Sequence, residues 1–261
     1  MAEPIGGRRG TRTVWGVVLC LALLWPAWAR SAEVSVAVAA NFAEVLARLG
    51  PEFERRSGHT LAVSVGSTGT LYAQIRRGAP FDVFLAADRQ RPARLEAEGD
   101  AVAGSRFTYA RGRLALWSRD PDRIHADGAR TLRAGGFRRL AMPNPELAPY
   151  GAAARETLEA LGVYGALRER IVMGQNVGQA HALVATGNAE LGFVAVSALH
   201  GGRREATGSR WVVPQALHSP IRQDAVLLNR ARDDTAARAL LDFLQTADAR
   251  AVIREVGYAV P

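Results

Sequence analysis

Four short segments of this chain bring uncharged hydrogen-bond donors to the starts of helices. They are Ala40-Asn41, Gly66-Ser67-Thr68-Gly69-Thr70, Ala148-Pro149-Tyr150-Gly151 and Gln175-Asn176-Val177-Gly178. A helix N-terminus exposes unpaired backbone N–H groups and the positive end of a dipole, roughly half a charge, so it favours an anion. Asn41, Ser67, Thr68, Thr70 and Tyr150 add side-chain donors, and Glu44, one turn inside its helix, is the nearest carboxylate. A carboxylate acceptor would welcome the proton of hydrogen phosphate, whereas a ring of donors alone suits a tetrahedral oxyanion that carries none. Taken singly, each segment reads as an ordinary tight turn or cap. Their shared position at strand ends makes them a candidate site.

The elements that must position these turns follow from the apolar pattern. Val34 to Ala39 is a β-branched run, after which the apolar residues fall at Phe42, Val45, Leu46, Leu49 and Phe53, a change from strand to helix spacing. Asn41 stands where an N-cap is expected. A second strand over Leu61 to Val65, a helix over Thr70 to Arg77 and a third strand over Phe81 to Ala86 complete a β-α-β-α-β order. The same grammar returns in strands over Leu140 to Met142, Ile171 to Met173 and Leu191 to Val196, with helices over Gly151 to Leu161 and up to Thr186. This predicts an α/β protein of two lobes, each a mostly parallel sheet flanked by helices. Phe107 to Tyr109, Arg113 to Trp117 and Ile221 to Asn229 read as strands crossing between the lobes. The final helices, Asp233 to Gln245 and Ala247 to Glu255, are expected to return to the first lobe. The expected boundaries are 1–29 for an export signal, 30–110 for the first part of lobe 1, 111–220 for lobe 2 and 221–261 for the crossing strand and return. In such sheets ligands bind outside the carboxyl ends of the strands, where the four turns lie.

Composition narrows the chemistry. The chain has 261 residues, 48% hydrophobic and 22% charged, with a formal net charge of +8 and one Cys. All 33 basic residues are Arg, so phosphate-loop, Schiff-base and Ser-x-x-Lys acyl-enzyme chemistry are excluded, each needing an ammonium. Basic and acidic residues are interspersed, the pattern of a solvated surface rather than of a nucleic-acid face. Arg8, Arg9 and Arg12 precede an uncharged stretch ending in Ala27-Trp28-Ala29, which predicts an export signal cleaved after Ala29 and a periplasmic location. Cleavage would remove Cys20 and with it thiolate, disulfide and Cys-metal chemistry. His59, His125, His181, His200 and His218 lack ligand spacing, and neither Gly-x-Ser-x-Gly nor His-Glu-x-x-His occurs. His181 reads as a surface or interface residue, and Asp82 and Asp88 as turn or capping groups.

Beyond these readings, the sequence resembles the periplasmic molybdate-binding proteins of ABC importers. The resemblance lies in Ala39-Ala40-Asn41-Phe42, Gly66 to Ile75, Gly78 to Asp88, Asn144-Pro145, Ala148 to Gly151 and Asn176 to Ala180, and it spans essentially all of the predicted mature chain. It implies the type II periplasmic-binding fold. It also implies molybdate or tungstate held by Asn41 and Thr68 from the first lobe and by Tyr150 and Val177 from the second, with Ala40 and Ser67 as adjacent backbone contributors. Neither a cofactor nor an enzymatic activity is implied, and molybdenum would be bound as its oxyanion rather than as a coordinated cation. The implied partners are a membrane permease and an ATPase receiving a monomeric receptor. One branch of that family has Ser at the Asn41 position and a Tyr ligand where this chain has Ala195; Tyr150 after Pro149 is the arrangement of another branch. A receptor for sulfate or phosphate is the nearest alternative; a secreted hydrolase is a distant one. The effector domain of a transcription regulator would need a helix-turn-helix segment where this chain has its export signal.

Overall fold

The computed structural model describes residues 1–2, 31–125, 127–200 and 206–261. The predicted export signal, its cleavage point and Cys20 lie outside the described residues. The elements in chain order are β1 (Glu33–Ala39), α1 (Ala43–Ser57), β2 (Thr60–Gly66), α2 (Thr68–Arg76), β3 (Val83–Leu85), α3 (Gln90–Ala97), β4 (Phe107–Gly112) and β5 (Leu114–Ser118). They continue with α4 (Gly128–Ala134), β6 (Leu140–Pro143), α5 (Pro149–Ala160), α6 (Tyr164–Leu167), β7 (Ile171–Gly174), α7 (Val177–Ala185), β8 (Leu191–Ala195), α8 (Val196–His200) and β9 (Ser209–Val212). The last three are β10 (Ile221–Leu227), α9 (Thr235–Leu244) and α10 (Ala247–Glu255).

These strands form two five-stranded sheets, ordered β2-β1-β3-β10-β4 and β7-β6-β8-β5-β9. In each, a parallel trio built by β-α-β crossovers is continued by antiparallel strands. The antiparallel strands include those that meet the passages between sheets, because a chain returning from the other sheet enters from the opposite end. One passage is Arg113, the single residue between β4 and β5; the other is 213–220. The strand at Ile221 begins after that second passage and pairs only within the first sheet.

Strand β1 is an interior strand covered on both faces, so Val34, Val36, Ala37 and Val38 are all buried. The Val45, Leu46, Leu49 and Phe53 stripe of α1 and the Leu240 and Leu244 stripe of α9 close one side of it, together with Ile253 of α10. Each fully buried Leu or Phe of this kind contributes about 1.5–3 kcal/mol. A separate cluster around Leu116, Met142, Leu158 and Phe193 forms the core of the second sheet. The short helices α4, α6 and α8 were not legible from the sequence, since seven residues or fewer show no clear helical period; α3 buries only Pro92 and Leu95, too few to mark a stripe.

Candidate functional site

The two sheets turn the ends of β1, β2, β6 and β7 toward one another, and the four donor-rich turns meet in a single small cavity of about 10 Å³. Ala40, Asn41, Ser67, Thr68, Tyr150 and Val177, the six residues expected there, all line it. None of the lining residues is charged. Contacts across the mouth show that the halves stand close. Gly69 N donates to Leu147 O at 2.8 Å, and Arg91 Nη2 donates to Glu146 O at 3.1 Å.

Each helix start accounts for its backbone donors in a way that leaves some for a ligand. In α2, Gly69 N–H goes to Leu147 O, Thr70 N–H to the cap Ser67 Oγ and Leu71 N–H to Ser67 O. Thr68 N–H therefore has no acceptor among the described residues. In α7, Asn176 caps by accepting from Gln179 N at 3.0 Å, and Ala180 N–H reaches Asn176 O. The Val177 N–H has no acceptor among the described residues. Helix α5 starts at Pro149, which has no N–H to satisfy, and so begins two residues before the expected Gly151. Gly151 is needed there, because a Cβ would collide with Pro143 O at the end of β6.

Three expectations need correction. Asn41 is not an N-cap: Phe42 occupies that position in α1 without any side-chain cap. The Asn41 amide instead turns inward, where Nδ2 donates to Gln223 Oε1 at 2.8 Å and to Tyr258 Oη at 3.0 Å. The Ala40 N–H is taken by Gly66 O at 2.9 Å, so Ala40 lines the cavity without offering that donor. The hydroxyl of Thr70 is engaged with Ser67 Oγ at 2.7 Å, and Thr70 does not reach the cavity. Thr68 Oγ1 accepts from Ala87 N at 3.0 Å, which leaves its own hydrogen to give.

Behind the lining lies a buried polar network that sequence reasoning missed. Gln223 on β10 is fully buried; its Oε1 accepts from Asn41 Nδ2, its Nε2 donates to Tyr150 Oη at 3.2 Å, and Tyr109 Oη, which donates to Ala86 O at 3.0 Å, lies 3.1 Å from Oε1. Tyr258 Oη donates to Asn41 O at 2.7 Å and receives Ser197 Oγ at 2.9 Å. Burial pushes the hydroxyls of Tyr150 and Tyr109 well above their ordinary value of 10.0, with Tyr258 beside them adding to the shift, and burial raises Tyr258 as well. All three therefore remain protonated and able to donate. Gln223 carried no local signal, being one polar residue in an apolar strand, and Tyr258 is 217 residues from its Asn41 partner.

The other singled-out residues stand apart from this cavity. Ala195 is buried and faces a neighbouring hollow of about 40 Å³ shared with Asn41, Val177 and Ser197. His181 stacks on Trp117 with ring centroids 4.8 Å apart, and burial lowers its pKa below the ordinary 6.5. Asp82 Oδ2 accepts from Ser35 N at 2.8 Å, and Asp88 Oδ1 caps Arg91 N at 2.9 Å.

Comparison with known proteins agrees with this geometry. The family model of the bacterial extracellular solute-binding proteins matches residues 34–259. The molybdate-binding protein ModA of Azotobacter vinelandii is 49% identical over 232 residues, 89% of this chain and 92% of the relative. That of Rhodobacter capsulatus is 47% identical over 250 residues, 96% of each chain. A solved structure of the Azotobacter vinelandii periplasmic molybdate-binding protein superposes with a TM-score of 0.84 at 39% identity, covering 87% of this chain and 99% of that one. The chain belongs to the bacterial extracellular solute-binding protein family, alongside the molybdate-binding proteins.

Proposed function

We propose that this protein is the extracytoplasmic receptor for molybdate, and for tungstate, of an ABC importer. The observation behind this reading is the meeting of helix N-termini from both sheets around a lining without a single charged side chain. Asn41 and Thr68 from one half and Tyr150 and Val177 from the other would hold the dianion, with Ser67 beside them. Fixed neutral donors replace its hydration shell and reject protonated anions, which would need an acceptor. The halves would part about the two passages between the sheets to admit the ligand and close by the contacts at Leu147 and Glu146.

The reading is one of binding without turnover, since the lining offers neither a general base nor a nucleophile placed against a base. Export through the N-terminal signal, with cleavage after Ala29, would deliver a monomeric receptor to the periplasm, where a permease and its ATPase would take the cargo.

Isothermal calorimetry with molybdate, tungstate and sulfate tests the assignment. Molybdate and tungstate, alike in charge and close in size, are expected to bind with comparable affinity, and the smaller sulfate much more weakly. Sulfate binding as tight as molybdate would remove the size argument. In a thermal-shift panel, ligand at about 100 times its Kd should add about 2.7 kcal/mol of stability and raise the Tm by several degrees.

A further inference from the structure

The first turn of α2 divides its N–H groups between two destinations. Thr68 lines the cavity and its N–H has no acceptor among the described residues, whereas the next one along, that of Gly69, crosses the mouth to Leu147 O at 2.8 Å. Arg91, near the start of α3, makes the same crossing, with Nη2 donating to Glu146 O at 3.1 Å. Asp88 aims it: Oδ1 accepts from Arg91 N at 2.9 Å and Oδ2 pairs with Nη1 at 2.5 Å. The two side chains are only 23% and 18% exposed, so water competes little for the hydrogen bonds they make.

The acceptors are consecutive carbonyls of the turn that leads into α5. Asn144 organises that turn, its Oδ1 accepting from Glu146 N at 2.9 Å and its O from Leu147 N at 3.2 Å and Ala148 N at 2.9 Å. Gly151 N and Ala152 N both go to Ala148 O, so among the described residues no donor of the same segment takes Glu146 O or Leu147 O. The Glu146 carboxylate is engaged with Arg155 at 2.9 Å. What the turn offers to the opposite half is this pair of carbonyls. Gly69 makes the approach possible: a Cβ there would stand 3.0 Å from Leu147 O, 3.1 Å from Leu147 Cα and 3.2 Å from Arg91 Nη2. Its φ is not positive, so the need for glycine comes from the other half and not from the local backbone. Two of the three crowded atoms are backbone of that half, which yields most readily by moving away.

We propose that Gly69 and Arg91 are positioning residues that clasp the two halves over the bound oxyanion and thereby set how slowly it leaves. Neither lines the small cavity, so both act without touching the ligand. This rests on the receptor reading above and deepens it. Because Thr68 and Gly69 are neighbours on one helix start, the turn that offers an N–H to the ligand also carries the clasp, and α2 makes both contacts only when the halves are closed. A ligand enters with the halves apart, so the clasp acts on dissociation rather than on encounter.

The test follows release of radiolabelled molybdate into an excess of unlabelled molybdate, for the full chain as wild type, G69A, G69V and R91M. Release from G69A and R91M is expected to be about 3- to 10-fold faster than from wild type, the range of one net hydrogen bond. The bulkier G69V should release faster still, and G69A serves should that variant fail to fold. Calorimetric affinity for molybdate should fall by the same factors. The unliganded Tm of G69A should be no lower than that of wild type, because Ala is the better helix residue. A glycine that served only the packing of α2 would give the opposite pattern, a lowered Tm with release unchanged. Release at the wild-type rate in R91M, or in both Gly69 variants, would overturn the proposal while leaving the receptor reading intact. Wild-type protein that binds no molybdate would remove both.

Discussion

Tyr150 is only 1% exposed, yet the residue lines the cavity while its hydroxyl reaches into the network behind it. A phenol buried that deeply must find partners, and here Gln223 supplies one of them. Thr68 illustrates the same economy of hydrogens, since Oγ1 accepts from Ala87 N and keeps its own hydrogen for the cavity. Replacing Thr68 by Val keeps the shape and deletes both roles. The Ala87 N–H would then be buried without an acceptor, at a cost of about 1–3 kcal/mol in stability. Urea denaturation of T68V should show that loss, and calorimetry should show weaker oxyanion binding. Unchanged affinity in a folded T68V protein would remove this hydroxyl from the site.

At the scale of the element, the donors are supplied by helix starts, so the caps that organise those starts also organise the site. Asn176 fixes the first turn of α7 by accepting from Gln179 N, and this leaves the Val177 N–H pointing out of the helix end, beside the cavity it lines. Asn176→Ala should cost about 1 kcal/mol of stability, the usual value of an N-cap. Ligand binding should weaken too, because the free N–H would no longer be held in place. Thermal melting with and without molybdate separates the two effects: the ligand-induced rise in Tm should be smaller in N176A than in wild type. An equal rise would mean that the cap serves the helix alone.

The whole molecule closes around its cavity through polar contacts that cross between the sheets, among them Ser197 Oγ with Asn41 O at 3.3 Å and Gln223 with Tyr150. Tyr109, Tyr150 and Tyr258 all lie in this seam, with pKa values raised by burial above the ordinary 10.0. The sign of the linkage follows directly. Below pH 10 these hydroxyls are protonated in folded and unfolded chains alike, and their contribution to stability is complete. As pH rises past 10 the unfolded chain releases protons that the folded chain retains, so stability falls progressively toward the raised folded values. Denaturation midpoints measured from pH 8 to pH 11.5 should be level at first and then drop, more gently in Y109F. A midpoint that climbs above pH 10 would contradict the buried, neutral state of these groups.

The strand-to-helix turns were legible because each is local. A β-branched run, a small-residue turn and a 3.6-residue apolar stripe lie within some twenty residues of one another, and the backbone donors at such a turn come with the turn itself. The sequence by itself thus determined the alternating elements, the donor-rich turns and the uncharged character of the cavity. Tertiary structure alone decided which hydrogen each donor gives and to whom. Asn41 had every local reason to cap α1, but partners 182 and 217 residues away claim its amide. The place of Gln223 likewise depends on a register shift in β10, between Gln223 and Asp224, and on Gly112 in β4, where a Cβ would collide with Gln223 Nε2. A buried polar group is settled by whichever neighbours the topology places within hydrogen-bond reach, and that choice has no period along the chain from which it could be read.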